Sequence, residues 1–258
     1  MDNIFGVRID RYSENQLLEI IKKSVDTSKK LQVVTLNTEL LVASKTDKKL
    51  QGVLNQAGLV VPESSGLQIA NHFYASKAKN KLLRLLGSGW KVMTGSKINP
   101  NERLAGVDLC YATAGLCQEF GYKLLLLGGG AEVAFQAATN LKKLYPKLKV
   151  VGVYGGLVGR DDQLIAAQVQ RERPDVLFVA FGQPTQEYWI AENLNKISAK
   201  VAVGVGGSLD FMAGKVPRAP KLVRNLGLEW AFRLVAQPWR VKRQFALVKF
   251  IRYLWQQR

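Results

Sequence analysis

Apolar runs of four to seven residues recur along the chain, separated by amphipathic stretches of ten to sixteen. Strands buried on both sides read as continuous apolar runs, and the crossovers between parallel strands read as helices. The alternation therefore predicts a parallel sheet with helices packed on both faces. Strand-like runs fall at 31–35, 59–62, 123–127, 149–153, 176–181 and 200–205; helical periodicity covers 13–28, 37–50, 66–76, 104–119, 131–145, 161–172 and 184–195. The fold class is α/β, with residues 1–213 as its core. No internal repeat or low-complexity segment interrupts the pattern.

Two segments depart from it. Residues 72–98 carry Lys77, Lys79, Lys81, Arg84, Lys91 and Lys97 and no acid, interleaved with Leu82, Leu83, Leu85, Leu86 and Trp90, and read as a basic insertion with its own surface role. In residues 214–258, Pro217, Pro220 and Pro238 break the chain into short helices that should drape over the core as a basic helical appendage. Charge sharpens this division. The 258 residues hold 37 basic and 20 acidic side chains, a net +17, of which 11 Lys or Arg against the single acid Glu229 put +10 in residues 214–258 and leave +7 for the rest.

That segment also holds Trp230, Phe232, Trp239, Phe245, Phe250, Tyr253 and Trp255. Cations mixed with aromatic anchors suit an anionic membrane surface. Phe245, Val248, Ile251 and Trp255 recur at helical spacing, as a stripe that packs on the domain, on a second subunit or on lipid. The first ten residues lack a signal-peptide core, and no run approaches the roughly 20 apolar residues that span a bilayer. The expected location is cytoplasmic, peripheral on the membrane.

Composition narrows the chemistry. With 47% hydrophobic and 22% charged residues the chain is folded rather than disordered. Cys110 and Cys117 lie seven apart on one helical face, as core thiols without zinc-site partners, and a lone His72 leaves neither a Ser-His-Asp nor a Cys-His mechanism. Carboxylates and arginines must carry any chemistry. Strand ends are punctuated by Gly128-Gly129-Gly130, by Phe181-Gly182-Gln183-Pro184 and by Gly204-Val205-Gly206-Gly207-Ser208. Ligands of open α/β sheets bind at this edge, where glycine turns and helix starts let backbone N–H groups approach phosphate.

Thr35 and Asn37 end one strand and Glu63 the next, so adjacent parallel pairing would bring all three to neighbouring loops. Capping accounts for such residues in an arbitrary chain. Beside phosphate-binding loops, however, Glu63 is placed as a general base on a hydroxyl acceptor. Arg103 and Asp108 flank a helix start, where Arg103 offers a fork for an anion. Gln183 and Gln186 suit sugar hydroxyls, and equally a helix start.

Phe181 through Ile190, Gly204 through Gly214, Arg218-Ala219-Pro220 and Gly227 through Leu234, with Asn37, Pro62-Glu63 and Arg103 through Asp108 in the same order, resemble the WecG/TagA/CpsF family of bacterial glycosyltransferases. The resemblance covers nearly all of the chain outside 72–98. It implies a Rossmann-like fold and inverting transfer without metal or other cofactor. The implied donor is a UDP-linked N-acetylmannosamine-type sugar, and the acceptor a polyprenyl-diphosphate-linked GlcNAc at the inner membrane face. Such enzymes build teichoic acid linkage units or other surface polysaccharides, and the resemblance also allows a homo-oligomer.

Position by position, it implies that Glu63 is the base and that Thr35 and Asn37 are polar active-site residues. It makes Arg103 a pocket arginine, Gln186 a substrate ligand, and Arg218, Arg224 and Arg233 the cations that close over the donor diphosphate. Asp108, Gly128, Gly129, Gln183, Gly206 and Gly207 complete the expected substrate-binding set. Many relatives have Asp where this chain has Glu63-Ser64-Ser65, which moves the carboxylate by about one carbon bond in chemistry sensitive to about 1 Å.

Two other classes compete. A nucleotide-dependent oxidoreductase would need G-x-G-x-x-G after a strand and an acid ending the next; 128–130 lacks the spacing, and the run ending at Tyr154 lacks the acid. A nucleic-acid binder would explain +17, but the charge sits in one tail whose aromatics have helical spacing.

Overall fold

A computed structural model describes residues 3–94, 104–156, 162–220, 223, 229–236 and 241–256. Its centre is a six-stranded sheet in which every neighbouring pair is parallel. A two-stranded antiparallel hairpin, β1 (Asn3–Ile4) and β2 (Val7–Arg8), precedes it. The sheet strands are β3 (Leu31–Leu36), β4 (Leu59–Pro62), β5 (Lys123–Gly128), β6 (Lys149–Tyr154), β7 (Val176–Ala180) and β8 (Val201–Gly204), in the order β4-β3-β8-β7-β5-β6. This is the predicted Rossmann-like architecture, with each of the six runs found as a strand. The short hairpin, two residues per strand, lies below the length at which alternation is readable.

Side-chain alternation divides each strand between two layers. Leu124 and Leu126 of β5 join Val33, Phe178, Val201 and Val203 in one cluster, covered by α1 (Glu14–Asp26), α6 (Gly106–Phe120) and α7 (Ala131–Leu144). Leu125 and Leu127, pointing the other way, join Leu177, Val179 and Ala202 under α8 (Asp162–Glu172) and α9 (Thr185–Asn193). Val34, Leu36 and Val60 continue that second face beneath α2 (Thr38–Thr46), α3 (Lys48–Gln56) and α4 (Ser65–Ala75). Cys110 and Cys117 are buried free thiols on the inner face of α6.

The single helix predicted at 37–50 is two helices. Asp47 takes an extended backbone and its side chain accepts from Leu50 N–H at 3.0 Å, starting α3 as a new N-cap. The basic segment forms α5 (Lys81–Met93), capped by Asn80. Beyond a short α10 (Ser208–Met212) the tail holds α11 (Glu229–Ala236) and α12 (Val241–Gln256). Phe250 and Leu254 of α12 are fully buried in the cluster of α2, α3 and β4, with Phe250 edge-on to Phe5 at 5.6 Å between ring centroids. Each contributes about 1.5–3 kcal/mol by leaving water. The face picked out by periodicity is the other one: Phe245 and Val248 are 67% and 66% exposed, so that stripe does not pack on the domain.

Candidate active site

The carboxyl ends of five adjacent strands meet at one edge. β5 leads outward to β6 whereas β7, its neighbour, leads back to β8, so their outgoing connections diverge as at the ligand-binding switch point of open α/β sheets. The three glycine loops emerge together here, as expected. Gly128 (φ +94°) and Gly129 (φ +73°) are left-handed, and Gly129 N–H donates to Ala180 O at 2.9 Å, tying the β5 loop to the end of β7. A Cβ on Gly128 would stand 2.6 Å from Ala180 O, so the close approach requires glycine. Gly129 and Gly130 are exposed just before α7, where Gly130 presents its backbone to solvent.

Glu63 follows β4 directly, and its backbone N–H donates to Leu36 O at 2.8 Å, continuing the β3–β4 ladder into the loops. Its half-buried carboxylate accepts from Gly106 N–H at 3.3 Å, at the start of α6. A Cβ on Gly106 would lie 3.0 Å from that carboxylate and 3.4 Å from Ser208 Oγ. Glu63, the first turn of α6 and the β8 loop therefore converge on one corner. Cys110, one helical turn along α6, shares it. Burial raises its pKa, the Glu63 and Asp108 carboxylates add to the rise, and a hydrogen bond with Ser208 opposes it.

The remaining polar residues knit the loops together. Thr35 is buried and its hydroxyl donates to Gly204 O at 2.9 Å, so it ties β3 to β8. Asn37 does two things: its Oδ1 caps α2 through Leu40 N–H at 2.9 Å, and its Nδ2 donates to Gln183 Oε1 at 2.7 Å. Gln183 in turn donates to Thr35 O at 3.1 Å. Gln186 is fully buried, accepts from Gly206 N–H at 3.1 Å and donates to Glu187 Oε1 at 2.9 Å. Gly207 ends the same turn and precedes α10. The capping reading of Asn37 holds, and the same amide also bridges two strand-end loops.

Glu187 carries a weight that sequence reasoning did not assign. It is fully buried, its Oε2 has no hydrogen-bond partner among the described residues, and burial pushes its pKa up to about 7 against the opposing hydrogen bonds from Gln186 and Gln183. In the sequence it is only an acid in the first turn of a helix, which suits the helix dipole. Its burial follows from the close approach of β8, where a Cβ on Gly204 would stand 2.7 Å from Gln186 Nε2 and 3.3 Å from Glu187 Oε1.

The tail reaches the same corner. Arg218 Nη2 and Asp108 Oδ2 form an ion pair at 2.5 Å, with side chains 27% and 37% exposed. Asp108 at this helix start is thus partnered by an arginine from 110 residues away. Arg103 and Arg224 lie outside the described residues, and of Arg233 only its place in α11 is described. Among the described residues no group of three or more His, Cys, Asp or Glu is placed to hold a metal ion. None of the described helices is long and apolar enough to cross a membrane.

A Rossmann-like sheet whose strand ends gather a carboxylate, amides, glycine turns and a tail arginine defines an α/β protein with a polar ligand edge. Its family follows from sequence comparison: the chain belongs to the glycosyl transferase WecG/TagA/CpsF family, whose sequence model matches residues 2–90 and 85–258. It is 28% identical over 218 residues, 84% of this chain and 76% of the other, to the N-acetylglucosaminyldiphosphoundecaprenol N-acetyl-beta-D-mannosaminyltransferase of Bacillus subtilis (strain 168). A relative of the same name from Staphylococcus aureus (strain MRSA252) is 29% identical over 233 residues, 90% of this chain and 83% of the other. Glycosyltransferase is therefore the enzyme class.

Proposed function

We propose that this glycosyltransferase moves an N-acetylmannosamine-type sugar from a UDP-sugar to a polyprenyl-diphosphate-linked GlcNAc, with inversion and without metal, during surface polysaccharide or teichoic acid synthesis. Glu63 is the base. Its carboxylate takes the proton from the acceptor hydroxyl as that oxygen attacks the anomeric carbon, and the bond to UDP breaks with its electron pair leaving on the diphosphate. Arg218, with Arg224 and Arg233, supplies the positive charge that stabilises the departing diphosphate. The Gly128–Gly130 turn brings the exposed Gly130 backbone to the nucleotide at the start of α7, and Asn37, Gln183 and Gln186 hold the loops that face the sugars.

The observation that supports this reading most is the first turn of α6. Gly106 N–H holds the Glu63 carboxylate and Asp108, two residues on, holds the Arg218 guanidinium. A proton acceptor and a tail cation are thereby anchored two residues apart at one helix start. Membrane contact that draws the tail over the edge also excludes water from the activated donor.

The test is to incubate the full-length protein with a panel of UDP-sugars and a short-chain lipid-diphosphate GlcNAc. The disaccharide is identified by mass and its anomeric configuration by NMR, with and without a chelator. The Glu63→Gln variant should lower kcat by about 10²–10⁴ with its melting temperature kept. Undiminished turnover by that variant removes the base assignment, retention of configuration removes inversion, and loss of activity in chelator removes metal independence.

A further inference from the structure

The basic insertion has a geometry that the transfer chemistry leaves unused. In α5, Leu82, Leu83, Leu86 and Trp90 are 51%, 61%, 60% and 69% exposed. Leu82, Leu86 and Trp90 are spaced by four, so they form one outward ridge with Leu83 beside it. The opposite face is fastened down. Ser88 and Val92 are buried, and the Arg84 guanidinium donates twice to Phe73 O, at 3.1 and 2.8 Å, while lying 4.6 Å from the Phe73 ring centroid. The ridge thus faces solvent by construction.

A second ridge adjoins it. Lys81 Nζ donates to Trp255 O at 2.8 Å, joining the start of α5 to the end of α12. On α12, Phe245, Val248, Ile251 and Trp255 are 67%, 66%, 38% and 45% exposed. Along both segments the charges are of one sign, with Lys77, Lys79, Lys81 and Lys91 on one side and Lys249 and Arg252 on the other, and no acid in 72–94 or 241–256.

We propose that α5 and the outer face of α12 form one docking surface for an anionic lipid bilayer. Apolar side chains ringed by cations enter the headgroup layer while the lysines meet phosphate. A second copy of the chain fits poorly, because self-association would set two uniformly basic rims against each other, and interface cores are depleted in lysine. The placement links docking to the candidate active site. The α4–α5 excursion leaves the sheet immediately after Glu63, and the chain returns where Leu104 N–H donates to Pro62 O at 3.1 Å. Docking through α5 therefore acts on a segment that is tied at both ends to the Glu63 edge. The biological purpose of this surface rests on the reading of the acceptor as lipid-borne.

The test uses the full-length protein and a Leu82→Gln/Leu86→Gln/Trp90→Gln variant, which changes no charge. Both are floated with phosphatidylcholine vesicles with and without phosphatidylglycerol, and both are assayed with a water-soluble short-chain acceptor. The wild type should bind vesicles containing phosphatidylglycerol and release them as salt is raised. The variant should bind on the order of tenfold or more weakly, with unchanged melting temperature and unchanged transfer to the soluble acceptor. Equal vesicle binding by variant and wild type overturns the proposal. So does a wild type that ignores vesicles while the variant shifts its oligomeric state in sedimentation, which would make the surface a contact between copies. Weakened binding by the variant alongside no transfer by either protein supports docking and overturns the enzymatic reading instead.

Discussion

Replacing Glu187 by Gln should change how stability depends on pH more than it changes stability itself. In the folded protein burial keeps the Glu187 proton to about pH 7, whereas its ordinary pKa is 4.5. Between those values the folded chain binds up to one proton more than the unfolded chain, so unfolding free energy falls as pH rises, and the loss is complete above the folded pKa. At roughly 1.4 kcal/mol per pH unit the displacement corresponds to about 3 kcal/mol, all present at pH 4 and absent by pH 8. A glutamine keeps the acceptor that Gln186 Nε2 uses at 2.9 Å and removes the titration. Urea unfolding of both proteins from pH 4 to 8.5 checks it. Any fixed packing cost of the substitution cancels when the difference between the two curves is followed with pH. That difference should move in favour of Glu187→Gln by about 3 kcal/mol across the range; parallel curves would show that Glu187 is ionised in the folded state, and the burial argument would fall.

Other consequences are narrower. Gly128→Ala forces a left-handed φ of +94° and a Cβ 2.6 Å from Ala180 O, and should cost about 2–4 kcal/mol in a denaturant titration. Gly130→Ala, at φ +81° with open space around its Cβ, should cost only about 1–2 kcal/mol, and equal midpoints for the two variants would count against the close-approach argument. Cys110 and Cys117 are buried, with the Cys117 thiol pushed up to about 12 by burial. Both should resist an aromatic disulfide reagent at pH 8 until the protein is unfolded, and rapid labelling of the native protein would contradict their placement in the core.

The sheet was legible because its signal is local. Runs such as Leu124 to Leu127 sit entirely within the core, and a strand buried on both faces needs no partner to be recognised. The strand-end residues were legible for a related reason, since parallel pairing of Thr35 with Val61 and Leu36 with Pro62 carries Asn37 and Glu63 to one edge without side-chain information. Orientation was not legible. α12 is apolar around much of its circumference, and the three-or-four spacing of Phe245, Val248, Ile251 and Trp255 says that they share a face without saying which face turns inward. Phe250 took the core because Phe5, in a hairpin too short to leave a periodic trace, provides its ring partner, and Leu254 joins the same cluster. Glu187 was illegible for the same reason: its burial is created by β8, which follows it in sequence.

The inward turn of α12 alters how the tail must be tested. On the sequence alone, removal of residues after about 215 should abolish transfer while leaving a folded core. Phe250 and Leu254 are fully buried among residues of β4, α2 and α3, so that deletion also strips an interior surface worth about 1.5–3 kcal/mol per side chain. Loss of activity in a truncated chain would then report unfolding as readily as loss of a cationic lid. Separating the two requires substitutions at the tail's contact with the proposed site. Arg218→Gln removes the charge that Asp108 holds at the start of α6 and leaves α12 packed. If that charge stabilises the departing diphosphate, kcat should fall with the melting temperature nearly kept. If Arg218 only fastens the tail, the melting temperature should fall with kcat measured on the folded fraction unchanged.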